Sequence, residues 1–489
     1  MVDQIGIIIT FIFFLLLFTG VGTYSATQKK ATTTDYLLAS RSVNPWLTAL
    51  SAMATGQSGL LFIGQVGFAY KMGISTIWLT IGWAIGDYLA WWLVFKPLRE
   101  QSEATASDTV SAFLAQNIKG YRLISLISAL ITLAFLGSYA AAQLVAGSKA
   151  LNSVFGWNYN LGIIIGAILV VIYCFSGGIR ASIWTDALQG ILMLGSLLLL
   201  LVVAVIKCGG LSSLWQSLDS IDPNLVSFSP QSLPLGFIPF LIGWMVAGFG
   251  VVWQPHIMVR AMAIDSAKNL GFARNLKTSL GLTNSFSALG IGLTARVLLP
   301  ELGSSGDPEL ALPYLSLELL PVFLVGLILA GLFSATMSTA DSQILSCSAA
   351  LTQDIFPQMS KSYNFAKIGT LSVTAIVLVI ALAGDNNVFA LVTFSWSILA
   401  SGLGPLLLVK VWQQPVNTAT AIAMMIIGIT TALTWKLLLN LSGVIYEVLP
   451  GMVAGIAVYG VYRLFFGEQA NPPHPPKGGR ATGNRNNCF

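Results

Sequence analysis

Apolar residues run along this chain in stretches too long for the interior of a soluble domain, and polar residues interrupt them at a few places. A helix-length window puts the stretches at roughly 4–24, 46–70, 74–95, 122–148, 161–178, 183–206, 235–257, 277–299, 320–352, 366–384, 387–411, 417–438 and 444–465. A helix needs about 20 apolar residues to cross the hydrocarbon layer, whereas barrel strands give segments of about ten alternating residues. The pattern predicts an all-α integral membrane protein of thirteen transmembrane helices filling residues 1–465. Its longest connections are the inner segment 96–121 and the outer loop around 207–234. Within the first, "SDTVSAFLAQNI" predicts a short surface helix capped by Ser107 or Asp108.

Composition sharpens this. Of 489 residues 55% are hydrophobic and 9% charged, against about 25% charged in soluble domains, so a soluble fold could not cover its surface with solvated groups. The 24 Lys and Arg test the span count independently. Thirteen spans with the N-terminus outside put 19 of them on the inner side and 5 on the outer side, as the positive-inside rule demands. The expected home is a cell (inner) membrane, with the C-terminus cytoplasmic. Asp3 precedes the first apolar stretch and Lys29 and Lys30 follow it, the reverse of a signal peptide, so it is read as a span. The Pro/Gly/Asn-rich tail, 466–489, reads as disordered. The four cysteines and two histidines have no metal-ligand spacing, and no GxxxxGK[ST] loop offers ATP as an energy source.

The polar interruptions carry the chemistry. "LTALSAMATGQSGLLFIG", 47–64, sets Ser51, Thr55, Gly56, Gln57, Ser58 and Gly59 inside a span. A helix opens at membrane depth only where the opening lines a cavity or binds something; unwinding here would free carbonyls such as those of Ala54 and Gln57 for a small hard cation. Close helix packing through the Ser51–Thr55–Gly59 stripe explains the pattern equally well. In "GLFSATMSTADSQILSCSAALTQDIF", 331–356, Ala335, Ser338 and Thr339 share one helix face. One carbonyl and two hydroxyls suit Na+ better than a divalent metal, although membrane Ser and Thr commonly bond back to their own helix. Asp341 beside them is an intramembrane carboxylate, functional by default. In "FSGGIRASIWTDALQG", 175–190, Gly177 and Gly178 mark a turn and Asp186 enters the next span, where helix-start capping is the simpler reading. In "AGFGVVWQPHIMVR", 247–260, Gln254–Pro255 predicts either a helix end or a second broken span. Asp87 also lies in a span, with no partner evident. Thr55, Ser58, Gly59, Trp244 and Trp253 are candidate solute contacts, with interfacial anchoring the competing reading for the tryptophans.

Together, "YLLASRSVNPWLTALSA", "GGIRASIWTDALQG", "QPHIMVRAMA" and "ATMSTADSQILSCSAALTQDI" resemble the sodium/solute symporter family, its sodium/proline symporters most closely, and in the family's order. The resemblance implies the LeuT-type 5+5 inverted repeat, with repeats over approximately 46–206 and 235–411. It implies a Na+ site on the carbonyls of Ala54, Gln57 and Ala335 and the hydroxyls of Ser338 and Thr339. Asp186 would lie near a second cation route, with Asp341 as its possible companion, and Arg41 at the inner mouth. Proline transporters carry Asp where this chain has Gly56 and Tyr where it has Val251. The implied function is Na+-coupled uptake of a small organic solute, with proline leading. Another amino acid or small solute, or a proton-coupled transporter on the same fold, are the alternatives. The partners expected are that solute and the lipid bilayer, with no nucleic acid, no obligate protein partner and no enzymatic activity.

Overall fold

The computed structural model describes residues 4–230, 233, 235–303, 306–384 and 388–466, with the backbone alone for Phe389; the expected disordered tail lies outside these residues apart from Phe466. Among them there are helices and no strand, only a single bridge between Val43 and Ile264. The main helices are α1 (Gln4–Ser25), α2 (Pro45–Gly59), α3 (Val66–Met72), α4 (Ile77–Ala90), α5 (Tyr121–Ile131), α6 (Gly137–Phe155), α7 (Tyr159–Lys207) and α8 (Phe237–Val251). After them come α9 (Pro255–Ala263), α10 (Leu270–Leu298), α11 (Val322–Ala349), α12 (Tyr363–Ala383), α13 (Val388–Val411), α14 (Thr418–Leu433) and α15 (Val448–Phe466).

Among the described residues nine helical stretches are long and apolar enough to cross a membrane, ten when α8 and α9 count as one bent span. That is fewer than the thirteen expected, for two reasons. Pro45–Ala104 and Tyr159–Lys207 run on as helical stretches of 60 and 49 residues, each covering two expected spans. In addition, α10 carries Arg274, Lys277 and Arg296 among Ser, Thr and Asn, and is too polar to be counted. The last four expected spans coincide closely with α12, α13, Thr418–Leu438 and α15.

Apolar residues on the helix faces merge into a main core with a smaller separate cluster around Leu214, Leu218 and Leu289, while Ile5, Ile9, Leu16, Val202 and Leu464 point outward from the bundle, as lipid-facing residues do. At the centre, α2 packs against α7, α10 and α11, and α7 packs along α11. Where α4 crosses α8 the backbones nearly touch. A Cβ on Gly86 would stand 1.8 Å from Met245 O, and one on Gly248 2.0 Å from Trp83 O. Small residues permit such close approaches between membrane helices.

The turn expected at Gly177–Gly178 is present. Gly178 is the non-helical residue inside α7, with φ 58°, and a Cβ there would lie 2.3 Å from Tyr36 O. Gly178→Ala therefore meets a left-handed backbone penalty of about 1–2 kcal/mol and a backbone clash as well. The expected outcome is a lower melting temperature for the detergent-purified protein; an unchanged one would mean the turn relaxes freely.

The segment read as a surface helix is shorter than expected and buried. It spans Val110–Ala115, and its cap is Thr109, which accepts from Ala112 N, in place of Ser107 or Asp108. Val110, Phe113 and Leu114 are buried, so this helix packs into the bundle and does not lie free on its surface.

Candidate functional site

The break in α2 falls on Ser58, between the two glycines the sequence points to. Ser58 has φ 53° and ψ −176°, and a π-helical turn over Leu60–Gln65 carries the chain into α3. In an unbroken helix the Gly59 amide would bond Thr55 O. Here it bonds Gln143 Oε1 at 2.8 Å, and Thr55 O accepts instead from the Thr339 hydroxyl at 3.0 Å. The break thus exposes a backbone carbonyl to α11. Thr339 also donates to Ala335 O at 3.1 Å, and Ser338 to the same oxygen at 3.3 Å. Ala54, Ala335, Ser338 and Thr339 are fully buried, and the Gln57 carbonyl accepts from Leu60 N. Of the residues expected to supply Na+ ligands, Ala335, Ser338 and Thr339 stand together on α11 and meet α2 at the Thr55 carbonyl, whereas Ala54 and Gln57 make no hydrogen bond to them among the described residues.

Asp186 does not cap a helix start. It lies inside the second half of α7, past Gly178, and faces α2. Its Oδ2 accepts from Ser51 at 2.7 Å, Thr55 at 3.2 Å and Ser182 at 3.4 Å. Asp341 joins the same network through Ser182 at 3.0 Å and Ser342 at 2.7 Å. The partner that sequence reasoning missed is Arg260. One of the 19 basic residues that the span count puts on the inner side, it is 0% exposed on α9. Its Nη2 pairs with Asp186 at 2.9 Å and bonds Ser182 and Ser342, and its Nε bonds Ser51 at 3.1 Å. The signal that could have found it is electrostatic: two carboxylates inside spans need a counter-cation, and Arg260 is the basic residue one turn beyond the Gln254–Pro255 break. Even so, two carboxylates face one guanidinium, and Asp186 Oδ1 and Asp341 Oδ2 have no hydrogen-bond partner.

The second interruption is also a break. Gln254–Pro255 separates α8 from α9, which are bent by 57°. Arg41, expected at the inner mouth, clamps that region. Its guanidinium donates to Ser102 Oγ and O, Ser107 O at 2.8 Å and Met262 O at 3.0 Å. Nearby, Asp35 accepts from Arg180, Ser40 and Lys30 N. Burial works to raise its carboxyl, but these contacts outweigh it and hold Asp35 below its usual range. The lock to Arg180 therefore contributes fully at neutral pH and is lost only as the pH falls through that depressed value.

On its other face α2 borders a cavity of about 100 Å³, lined by Gly56, Gln57, Trp83, Trp244, Val251 and Trp396 among others. A wider cavity of about 560 Å³ shares Phe68, Leu79, Trp244 and Thr393 with it. Of the candidate solute contacts, Trp244 faces both cavities and stacks on Tyr446. The others do not line either. Thr55 faces Asp186, and Ser58 is fully buried at the break. Gly59 is pressed against Thr336, so that a Cβ would come within 2.7 Å of its methyl. Trp253 is buried against Phe249 and Gly404. Helical periodicity explains the split: 51 and 55 share one face, 52, 53, 56 and 57 the other. Asp87, without a partner in the sequence, pairs with Lys277 on α10.

The sodium:solute symporter family matches residues 36–428 of this chain. The chain belongs to that family. Among its relatives, the high-affinity proline transporter PutP of Bacillus subtilis is 32% identical over 443 residues, 88% of this chain and 93% of the relative. The sodium/proline symporter of Escherichia coli K12 is 32% identical over 437 residues, 86% of each chain. Among solved structures, a substrate-bound, outward-open Na+-coupled sialic acid symporter superposes with a TM-score of 0.80 at 18% identity, over 94% of this chain and 98% of its own. The nucleobase-cation symporter Mhp1 in a closed conformation superposes at 0.54 and 18%, over 88% and 95%. The symporter is accordingly a multi-pass membrane transporter of LeuT-like fold, with Na+ as its coupling ion, and not an enzyme.

Proposed function

We propose that the protein drives uptake of a small amino or imino acid, proline first, with Na+ as co-substrate bound by the carbonyls of Ala54, Gln57 and Ala335 and the hydroxyls of Ser338 and Thr339. The observation that carries this reading is the two-sidedness of the broken α2. One face offers the Thr55 carbonyl to Thr339, and the opposite face, Gly56 and Gln57, borders the cavity. A hydroxyl that donates to these carbonyls can turn its lone pair to a cation among them, tying α2 to α11. That tie fixes the cavity wall, so Na+ and solute favour one conformation together, and coupling is their shared preference for it. A 100 mV potential supplies about 2.3 kcal/mol per charge moved, roughly fiftyfold accumulation for one Na+ per solute. Proline leads because relatives at this level of identity are named for it; Gly56 and Val251 on the cavity wall keep another small amino acid in view.

The same reading takes thirteen spans, with the N-terminus outside and the C-terminus cytoplasmic, in two inverted repeats over 46–206 and 235–411. A straight helix of 60 residues would run about 90 Å at 1.5 Å per residue, three times the ~30 Å hydrocarbon thickness. Gly73 with φ 69° and Gly178 with φ 58° are natural reversal points within the two long stretches. Each repeat then opens on a broken helix, and five spans per repeat require opposite orientations. No nucleic acid or obligate protein partner enters this reading.

A proton-coupled mechanism is the second reading, favoured by the unpartnered oxygens of Asp186 and Asp341. Proteoliposomes under an inward Na+ gradient, assayed against labelled amino acids and sugars, separate the two. The expected result is concentrative, Na+-dependent uptake of proline or a similar amino acid. Uptake driven by a pH gradient in Na+-free medium would replace Na+ by H+ as the coupling ion.

A further inference from the structure

The cavity beside α2 has an electrical character that the cation site does not explain. Its lining is mostly apolar and aromatic, but Asp87 of α4 and Lys277 of α10 pair with each other there, the two charged side chains among its lining residues. Asp87 is 3% exposed, and while its Oδ2 takes Lys277, its Oδ1 has no hydrogen-bond partner. Next to Lys277, Thr278 also lines the cavity, and its buried Oγ1 lacks a partner. Buried polar atoms left unpaired are costly, so a ligand that supplies both partners relieves that cost. The helices hold these groups in register with α2. Lys277 and Gly281 stand at i and i+4 on one face of α10, and Gly281 O accepts from Gln57 Nε2 at 2.7 Å, directly behind the break.

We infer that Asp87 and Lys277 form the solute-recognising dipole of this transporter, and that it selects zwitterions. The solute's ammonium binds Asp87 Oδ1, and its carboxylate is held by the remaining N–H donors of Lys277 and by Thr278. The pair is already neutral. A net-neutral zwitterion adds opposite charges to opposite poles and leaves no uncompensated charge, whereas a cation or anion leaves one in a low-dielectric cavity. A sugar lacks charges to match either pole. The surrounding Trp83, Trp244 and Trp396 admit a small apolar body. This inference rests on the transport reading above and names what that reading's cavity selects.

The test uses the full-length protein in proteoliposomes under an inward Na+ gradient, with labelled L-proline as probe. Asp87→Asn and Lys277→Gln are expected to raise the half-saturating proline concentration at least tenfold, while half-saturating Na+ stays within about twofold. In the unaltered protein, proline amide, without a carboxylate, and tetrahydrofuran-2-carboxylate, without an ammonium, should compete at least tenfold more weakly than unlabelled proline. The competition arm stands even if the variants fail to fold. If both analogues compete as well as proline, or if folded variants keep the original half-saturation, the pair merely staples α4 to α10 and the inference is overturned. Na+-driven uptake of a sugar or a net-charged solute in place of any zwitterion would overturn it with the coupling intact. Zwitterion uptake weakened by Asp87→Asn but indifferent to Na+ would uphold the pair and remove the coupling.

Discussion

Arg260→Gln is expected to lower the stability of the purified protein by about 3–5 kcal/mol, the cost of breaking a buried ion pair from one side, and to make what remains depend on Na+. Arg260 and Asp186 are both 0% exposed, and the guanidinium holds Ser51, Ser182 and Ser342 around that carboxylate. Glutamine leaves Asp186 and Asp341 as two uncompensated carboxylates sharing Ser182. A mobile cation then has more to gain there than in the unaltered protein, so NaCl against choline chloride should raise the melting temperature further in the variant. Arg260→Gln combined with Asp186→Asn removes both partners and should recover most of the loss, because the penalty lies in the orphaned charge and not in the missing contact. The measurement is thermal unfolding in detergent. A single variant that melts with the original protein in choline would show that Arg260 does not carry the charge balance of this cluster.

The same residue marks the limit of what the sequence reveals. Periodicity and apolar length locate the helices well, because a membrane span must satisfy its own backbone and so declares itself locally. Helical spacing likewise sets Ala335, Ser338 and Thr339 together on one helix face, since i, i+3 and i+4 describe a single helix. Charge counting, by contrast, treats every Arg near a span end as a loop residue, and it hides Arg260, which the bend at Gln254–Pro255 turns inward. It hides the Asp87–Lys277 pair for the same reason: the partners lie 190 residues apart, and only the packing of α4 near α10 makes them neighbours. The solute contacts are the least legible. Composition marks 55–59 as one polar window, but the helix distributes it over two faces, giving Thr55 to Asp186 and leaving Gly56 and Gln57 to the cavity. A window average cannot make that division; it depends on the direction of each side chain about the axis.

Thr339→Ala is expected to raise the Na+ concentration for half-maximal uptake ten- to a hundredfold. The hydroxyl bridges α2 and α11, donating to Thr55 O at 3.0 Å and Ala335 O at 3.1 Å. Alanine removes one of the two side-chain oxygens proposed for the cation and the hydroxyl that bonds the Thr55 carbonyl. Interactions of a polar group with a charged one contribute about 1.5–3 kcal/mol, and 1.4 kcal/mol is tenfold, which sets the range. Ser338→Ala should act in the same direction, since Ser338 donates to the same Ala335 oxygen at 3.3 Å. Thr339→Ser keeps the oxygen and should stay within a few-fold of the original protein, which separates ligation from packing. Solute half-saturation measured at saturating Na+ should barely move in any of the three, because the hydroxyls lie on the face of α2 away from the cavity. If Thr339→Ala and Ser338→Ala both transport with unaltered Na+ dependence, the cation is held elsewhere, and the tie between α2 and α11 is packing alone.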